Sequence, residues 1–565
     1  MLLRQQAASA FGRRVGSLLL IFGIGLASTA CNSRHGGDDG TSSGSGTGTG
    51  AGNSAPSLAD TTPPTVVNAT PNGSATGLEP TISVSVEFSE TIDPASIGAS
   101  NFWLVGPYGP IAATISINNG IVTLTPNQPL PTNGTVTATI SGARDMAGNV
   151  LGGSYTWSFT IRSFTPALGS SATDEAYGVA VGNNGTLYLA GYTNGAYASQ
   201  TNAGLSDIAL LSFDAAGNSR WNRQLGDTHE DRARAVATDG SGNVITTGFT
   251  KGALGSDPHV GLADVILIKH DATGALQWVR QLGTAAWDEA LGIAIDANDA
   301  SIVVGQTDGD LAGTGYAGGT DALIVKYDAT GSLLWRRQHG SANEDVANAV
   351  TTDAAGNIYV AGFSRGDLDG NLNTNSGWAD LFLIKYDAAG NHQWTRLYGT
   401  IVTDKGTAIT LDSAGDIYIT GATVDNLDGI PNAGGFDVFV VKYDGAGNRL
   451  WTRQFGSTAD DFAYGIAADA DGNVYFTGST AGNLDGNTNS GAEDIFITKY
   501  SAAGNRIWTR TLGTTGSDVA RAIAKDRGNP YLYVVGHTSG ALDGQPNIGG
   551  NDMFAIRFDT DGNKR

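Results

Sequence analysis

Residues 451–507 read WTRQFGSTADDFAYGIAADADGNVYFTGSTAGNLDGNTNSGAEDIFITKYSAAGNRI. Four runs in this stretch and its continuation have strand character: 463–468, 474–478, 495–500 and 506–512, the last passing through Trp508. Turn clusters of the form Asp469-Ala470-Asp471-Gly472-Asn473 separate them, which is hairpin punctuation. The pattern repeats. Trp221, Trp278, Trp335, Trp394, Trp451 and Trp508 lie 57, 57, 59, 57 and 57 residues apart, and Phe164 holds the same place 57 residues before Trp221. Seven copies of four short antiparallel strands predict a seven-bladed β-propeller. A parallel β-helix is the competing fold, but its coils are shorter and lack tight hairpins. The first strand of each copy is rich in Ala and Gly (Ala463, Gly465, Ala467, Ala468), which suits the crowded axis. The Trp strand is then outermost, its ring set against the next blade.

The repeat register also predicts closure. The chain stops at Arg565, where the last fourth strand would begin. A strand at residues 160–168 is expected to fill that place against 553–558, so that an N-terminal strand clasps the C-terminal blade and leaves no open edge. These copies resemble the SBBP repeats of bacterial propellers. The resemblance covers about 400 residues, from 163 to 565. It implies fold and says little of activity.

Upstream the character changes. In 82–88, Ile82, Val84, Val86 and Phe88 alternate with Ser83, Ser85 and Glu87, a half-buried strand pattern. Further runs at 121–124, 136–140 and 155–161 make about a hundred residues of short strands, a β-sandwich. Pro63-Pro64, Phe88-Ser89-Glu90, Asn101-Phe102, Leu124-Thr125-Pro126, Pro129-Leu130, Asp145-Met146-Ala147-Gly148-Asn149 and Ser158-Phe159-Thr160-Ile161 resemble bacterial Ig-like domains of the SbsA type. That resemblance spans 61–162 and implies a spacer or adhesion unit. The fold class is therefore all-β: an Ig-like sandwich followed by the closed propeller.

The N-terminus reads as an address. Arg4, Arg13 and Arg14 precede an apolar run at 17–27, and small residues lead to Cys31. This is a secretory signal over 1–30. Ala27-Ser28-Thr29-Ala30-Cys31 resembles a bacterial lipobox, with Ser28 in place of the usual Leu; the resemblance implies lipidation at Cys31, the chain's single cysteine, and hence a membrane partner. Asn32 follows rather than Asp, which in a Gram-negative host implies the outer membrane, and the expected location is the cell envelope or surface. Residues 31–60, nearly all Gly, Ser, Thr, Asp and Asn, form a flexible tether. The match to G-x-S-x-G at 40–44 falls in this tract, without the strand and helix a nucleophile elbow needs. The net charge is −22, which repels phosphate backbones and argues against a nucleic-acid partner.

In antiparallel blades, the first-to-second and third-to-fourth turns share one face and are short here. The second-to-third and fourth-to-first loops share the other face and are long, so a ligand is expected there. Two aspartate series lie on that face: Asp174, Asp231, Asp288, Asp345, Asp404, Asp461 and Asp518 open the first strands, and a second series from Asp207 to Asp552 opens the third strands. They read as a negative ring or, more simply, as loop-fixing acceptors. Asp367, Asp369, Asn371 and Asn373 set oxygen side chains at alternate positions, a candidate structural Ca²⁺ loop, though without EF-hand spacing. No other cofactor is expected. Tyr197, Trp287, Tyr316, Trp378 and Phe436 fall in the variable loops and are candidates for glycan or peptide contact. The seven histidines share no metal-protease spacing and no repeat position. The expectation is a lipid-anchored binding or scaffold protein, not an enzyme; the alternative is an extracytoplasmic propeller lyase or hydrolase acting on polysaccharide or cell-wall material.

Overall fold

The computed structural model describes residues 60–565 apart from 79–80, 108, 119, 128–129, 131–133, 162–167, 198–199, 312, 314–315 and 374–377. The expectations for the signal segment, Cys31 and most of the tether fall outside the described residues.

Alternation builds the N-terminal sandwich. One sheet runs Val66–Thr70, Val84–Phe88, Ile121–Pro126, Ala113–Asn118; the other runs Gly109–Ile111, Phe102–Gly106, Gly134–Ile140, Tyr155–Ile161. Val84, Val86, Leu104, Val136, Trp157 and Phe159 point inward and fill the space between them. Asp145 closes a turn by accepting the backbone N–H groups of Ala147 and Asn149, both at 2.8 Å. The same Asp-x-x-Gly-Asn device recurs throughout the propeller, as at Asp444, Ala446 and Asn448.

From Asp174 onward six four-stranded antiparallel sheets and one three-stranded sheet follow in chain order. Their inner strands are Asp174–Val181, Asp231–Thr238, Asp288–Ile295, Asp345–Thr352, Asp404–Leu411, Asp461–Ala468 and Asp518–Lys525. Each packs on the next and the last packs on the first, so the seven blades form a closed ring. The core lies between blades: Val438 and Val440 of blade five, for example, pack with Phe476 and Phe496 of blade six.

The closing strand is composite. In blade six the outer strand Arg506–Leu512 pairs Leu512 with Ile495 and Arg506 with Tyr500. In blade seven Leu168 takes the place of Leu512 and bridges Met553, while Lys564 takes the place of Arg506 and bridges Phe558. The two ends of the propeller segment therefore share one strand position. The expected clasp is thereby corrected at its start, because Thr160 and Ile161 belong to the sandwich, paired with Thr135 and Gly134. Its middle, 162–167, lies outside the described residues.

A Trp-x-Arg staple joins neighbouring blades. Trp221 donates through Nε1 to the Ala272 carbonyl of the next blade at 3.1 Å, and Arg223 donates to Gly274 O at 2.6 Å. Arg280, Arg337, Arg396 and Arg453 repeat the bond to Gly331, Gly390, Gly447 and Gly504. A Cβ at Gly274 would lie 2.7 Å from the Trp221 ring, so the turn needs glycine to admit the indole.

One blade departs from the repeat in its core. The seventh residue of the third strand is Tyr or Phe in six blades (Tyr327 and Tyr443 among them) but His270 in blade two. His270 is buried beside Trp221, and its Nδ1 has no hydrogen-bond partner among the described residues. Burial, helped by the Arg223 charge, pushes its pKa down to about 4. Between the ordinary imidazole value of 6.5 and about 4 the folded state binds fewer protons than the unfolded one, so stability falls as pH falls through that window. The loss approaches about 3 kcal/mol at the acid end. His270→Tyr restores the repeat residue. It is expected to raise the melting temperature at pH 5 by several degrees and to change it much less at pH 8; an equal effect at both pH values would contradict the assignment.

Candidate functional site

The inner strands share the pattern Asp-x-Ala/Gly-x-Gly/Ala-Val/Ile, in which only the second and fourth residues vary freely. The constant positions are structural. The opening aspartates are buried, and each accepts the backbone N–H of the residue four before it at 2.5–2.8 Å. They fix the fourth-to-first loops rather than form a charged ring. The third-strand series does the same, as when Asp264 accepts from Val260 at 2.9 Å.

At the fourth position the ladder slips in every blade: the register jumps between Ala233 and Ala235, for instance, leaving Arg234 as a β-bulge. The equivalent bulged residues include Tyr177, Tyr464 and Arg521. A bulge re-aims its side chain and brings the facing strands close. The second strand accordingly carries glycine opposite it. A Cβ at Gly191, Gly248, Gly305, Gly362, Gly421, Gly478 or Gly536 would sit 1.7–1.9 Å from an inner-strand carbonyl oxygen.

The bulged side chains touch one another around the axis, near the long-loop end of the inner strands. Arg521 lies between the rings of Tyr464 and Tyr177, 4.7 and 5.3 Å from their centroids. Arg234 also lies over the Tyr177 ring, at 4.7 Å, and donates to Glu289 at 2.7 Å. Trp287 donates to the second oxygen of Glu289 at 3.3 Å. In the other direction Tyr464 meets Phe462 at 6.1 Å, which meets Phe436 at 4.9 Å. The result is a continuous wall, Phe436–Phe462–Tyr464–Arg521–Tyr177–Arg234–Glu289–Trp287, across blades five, six, seven, one, two and three. The rest of the ring is plain: Leu291, then Asn348 and Thr407, each bonded at 2.7 Å to a carbonyl of the next inner strand.

Behind the wall Glu175 accepts from the Tyr177 hydroxyl at 2.9 Å and from Asn551 at 2.8 Å, with His537 at 3.8 Å. Burial alone would raise the Glu175 carboxyl, but His537, Asn551, Tyr177 and Arg521 together hold it below its usual range. Burial and the Glu175 charge push the Tyr177 phenol up. Burial lowers His537. At neutral pH the wall thus presents guanidinium cations and phenol donors beside a fixed carboxylate. Among the described residues no acid lies within ion-pair distance of Arg521.

Residues 60–161 match the bacterial Ig-like domain, and residues 450–485 match the beta-propeller repeat. Among curated relatives, the regulatory protein FlaEY of Caulobacter vibrioides is 28% identical over 63% of this chain and 43% of its own length. An uncharacterized WD repeat-containing protein of Acanthamoeba polyphaga mimivirus is 21% identical over 60% of this chain and 31% of its own. The chain thus spans less than half the length of either. Similar solved structures include the Neurospora crassa Pan2 WD40 domain (10% identity, 69% of this chain and 94% of that one, TM-score 0.40). A polysaccharide lyase described as ulvan lyase is also similar (11% identity, 70% and 95%, TM-score 0.44).

Against this beta-propeller repeat the expected site residues sort as follows. Trp287 and Phe436 are half-buried and terminate the wall. Tyr316 and Trp378 are exposed on the second-to-third loops of blades three and four, Trp378 at 57%. Tyr197 is corrected: it is buried with Leu187 and Met553. Four residues past the end-of-strand threonine or serine, the other six blades carry Leu254, Leu311, Leu368, Leu427, Leu484 and Leu542, all buried, so Tyr197 fills a core position of the repeat.

The Ca²⁺ loop is also corrected. Asp367 accepts the Asn373 backbone N–H at 2.8 Å, and Asn426 and Asn483 make the same bond in blades five and six without a charge. Asn371 and Asn373 turn their amide N–H groups onto carbonyls of Leu368 and Ser364, and Asp369 turns away toward the outer strands. The loop is braced by its own oxygens.

On the opposite, short-turn end of the inner strands lies a cavity of about 980 Å³. Apart from Lys525 and Arg527, its charged lining is the repeating turn aspartates, which are already bonded, as Asp412 and Asp469 are to Tyr418 and Tyr475.

Proposed function

We propose that the chain is an envelope-anchored recognition protein whose propeller binds an acid-bearing glycan along the wall from Phe436 to Trp287. The supporting observation is where the sevenfold repeat breaks. Packing requires Asp, Ala and Gly in the inner strands and leaves the second and the bulged fourth positions free, and five adjacent blades use that freedom for Arg, Tyr, Phe and Glu in mutual contact. Aromatic faces interleaved with guanidinium groups suit sugar rings that carry carboxylate or sulfate. A proton-transfer role asks for a group poised near neutrality. Glu175 held low and Tyr177 pushed high favour binding over catalysis.

The test is a panel of acidic and neutral oligosaccharides against tag-free protein of residues 60–565. Acidic members are expected to bind, with affinity falling as salt rises through a few tenths molar. Equal binding of neutral members, insensitive to salt, would contradict the reading, as would binding of acidic peptides alone.

A further inference from the structure

Blades four to seven carry a Leu-Asp-Gly turn in the second-to-third loop, its Asp in the left-handed region (Asp369, Asp428, Asp485 and Asp543 at φ 51–54°). In each the carboxylate reaches the first residue of the blade's own outer strand, and in blades five and six the last outer-strand residue of the preceding blade packs beside it. In blade five Asp428 holds Arg449 at 2.7 Å, and Arg449 lies 4.0 Å over the Tyr398 ring. In blade six Asp485 holds Arg506 at 2.6 Å, and Arg506 lies 5.4 Å over Phe455. In blade seven Asp543 holds Lys564. The repeat thus builds an ion pair capped, where it is capped, by an aromatic ring.

Blade four replaces both partners of its aspartate by histidine. His392 stands where the others have Arg or Lys, and His339 stands where Tyr398 and Phe455 stand. Both Nε2 atoms converge on one carboxylate oxygen of Asp369, His339 at 2.8 Å and His392 at 3.2 Å. The three ligand atoms lie within 4.8 Å of one another. Ligand atoms of a tetrahedral zinc ion, at bonds near 2.0–2.2 Å, stand roughly 3.3 Å apart, so little movement separates this arrangement from a coordinated one. The ring of His339 is oriented from behind: its Nδ1 meets the Tyr386 hydroxyl at 3.1 Å, the outer hydrogen bond that metal-bound histidines ordinarily have. Two imidazoles and one carboxylate select a borderline transition ion over Ca²⁺.

We propose that His339, Asp369 and His392 bind one divalent transition ion of the Zn²⁺ class, which clips the blade-four loop to the outer strands of blades three and four. The ion takes the place of the Arg–carboxylate pair in the neighbouring blades. This site is independent of the glycan wall. Two substitutions at distant places of the repeat, meeting on one carboxylate, carry the inference.

The test is calorimetry and thermal melting of tag-free protein with Zn²⁺, with Ca²⁺ as control. One Zn²⁺ per chain and a Zn²⁺-dependent rise in melting temperature are expected, with no response to Ca²⁺. His392→Arg recreates the blade-five ion pair, so it should fold with an unchanged or higher melting temperature in chelator, while its Zn²⁺ affinity falls more than about 100-fold. Tyr386→Phe keeps all three ligands and should weaken Zn²⁺ about tenfold or more. No Zn²⁺ binding by the native protein would overturn the proposal, and so would undiminished binding by His392→Arg, which would move the ion to another histidine.

Discussion

Gly421→Ala is expected to destabilise the propeller by about 3 kcal/mol or more, enough to shift its denaturant midpoint visibly. The added Cβ would stand 1.9 Å from the Lys405 carbonyl oxygen and 2.8 Å from the Phe439 ring. Neither neighbour yields cheaply. The carbonyl belongs to the inner-strand ladder at its bulge, and Phe439 is fully buried. Relief requires the inner strand to retreat, which would pull Thr407 off the Ala463 carbonyl of blade six. Gly415→Ala is the contrast. That glycine sits in a turn at φ +84° with nothing within 4 Å of a new Cβ, so only backbone strain of roughly 1–2 kcal/mol is expected. If the two variants lose equal stability, the second-strand glycine is there for chain flexibility and the bulge account fails.

Leu168→Ala is expected to cost about 2–5 kcal/mol, the range for a buried leucine that leaves a cavity. Leu168 is 2% exposed and packs with Leu187, Tyr531, Tyr533 and Met553, joining blade one to blade seven. Its backbone carbonyl accepts the Met553 N–H at 2.9 Å. The loss should be larger than for a leucine of equal burial within a single blade, because it also loosens the one strand position filled from both ends of the propeller segment. Limited proteolysis is expected to cut first near the blade-seven edge of the variant. Native-like stability with unchanged proteolysis would mean that the ring is held without this contact.

Much of the fold was legible because the propeller repeats its chemistry. Trp spacing, Asp-x-x-Gly-Asn turns and small inner-strand residues each report one local requirement, and seven copies make those requirements visible. The errors fall where local pattern is ambiguous. The alternation in 155–161 runs on toward 168, and nothing in period two says that Ile161 pairs inside the sandwich while Leu168 pairs with blade seven. Tyr197 looked free because it differs from the leucine at its position; aligning on Thr193 would have placed it in the core. The candidate wall was hidden more deeply. A bulge breaks period two at the residue that matters, and Tyr464, Arg521, Tyr177 and Arg234 lie in separate copies that meet only through blade packing, Arg521 and Tyr177 only through ring closure. Trp287 and Phe436 were visible from sequence as loop aromatics, but their partners were not.

The most direct test compares two variants by titration with the best-binding acidic oligosaccharide. Arg521→Ala removes the cation between Tyr464 and Tyr177, and Trp378→Ala removes the exposed ring of the blade-four loop. The account predicts that Arg521→Ala weakens binding about tenfold or more, as expected for a charge-assisted contact at the centre of a site, with Trp378→Ala within about twofold of native. Native affinity in Arg521→Ala, with binding lost in Trp378→Ala, would place recognition on the loop tips and contradict the wall.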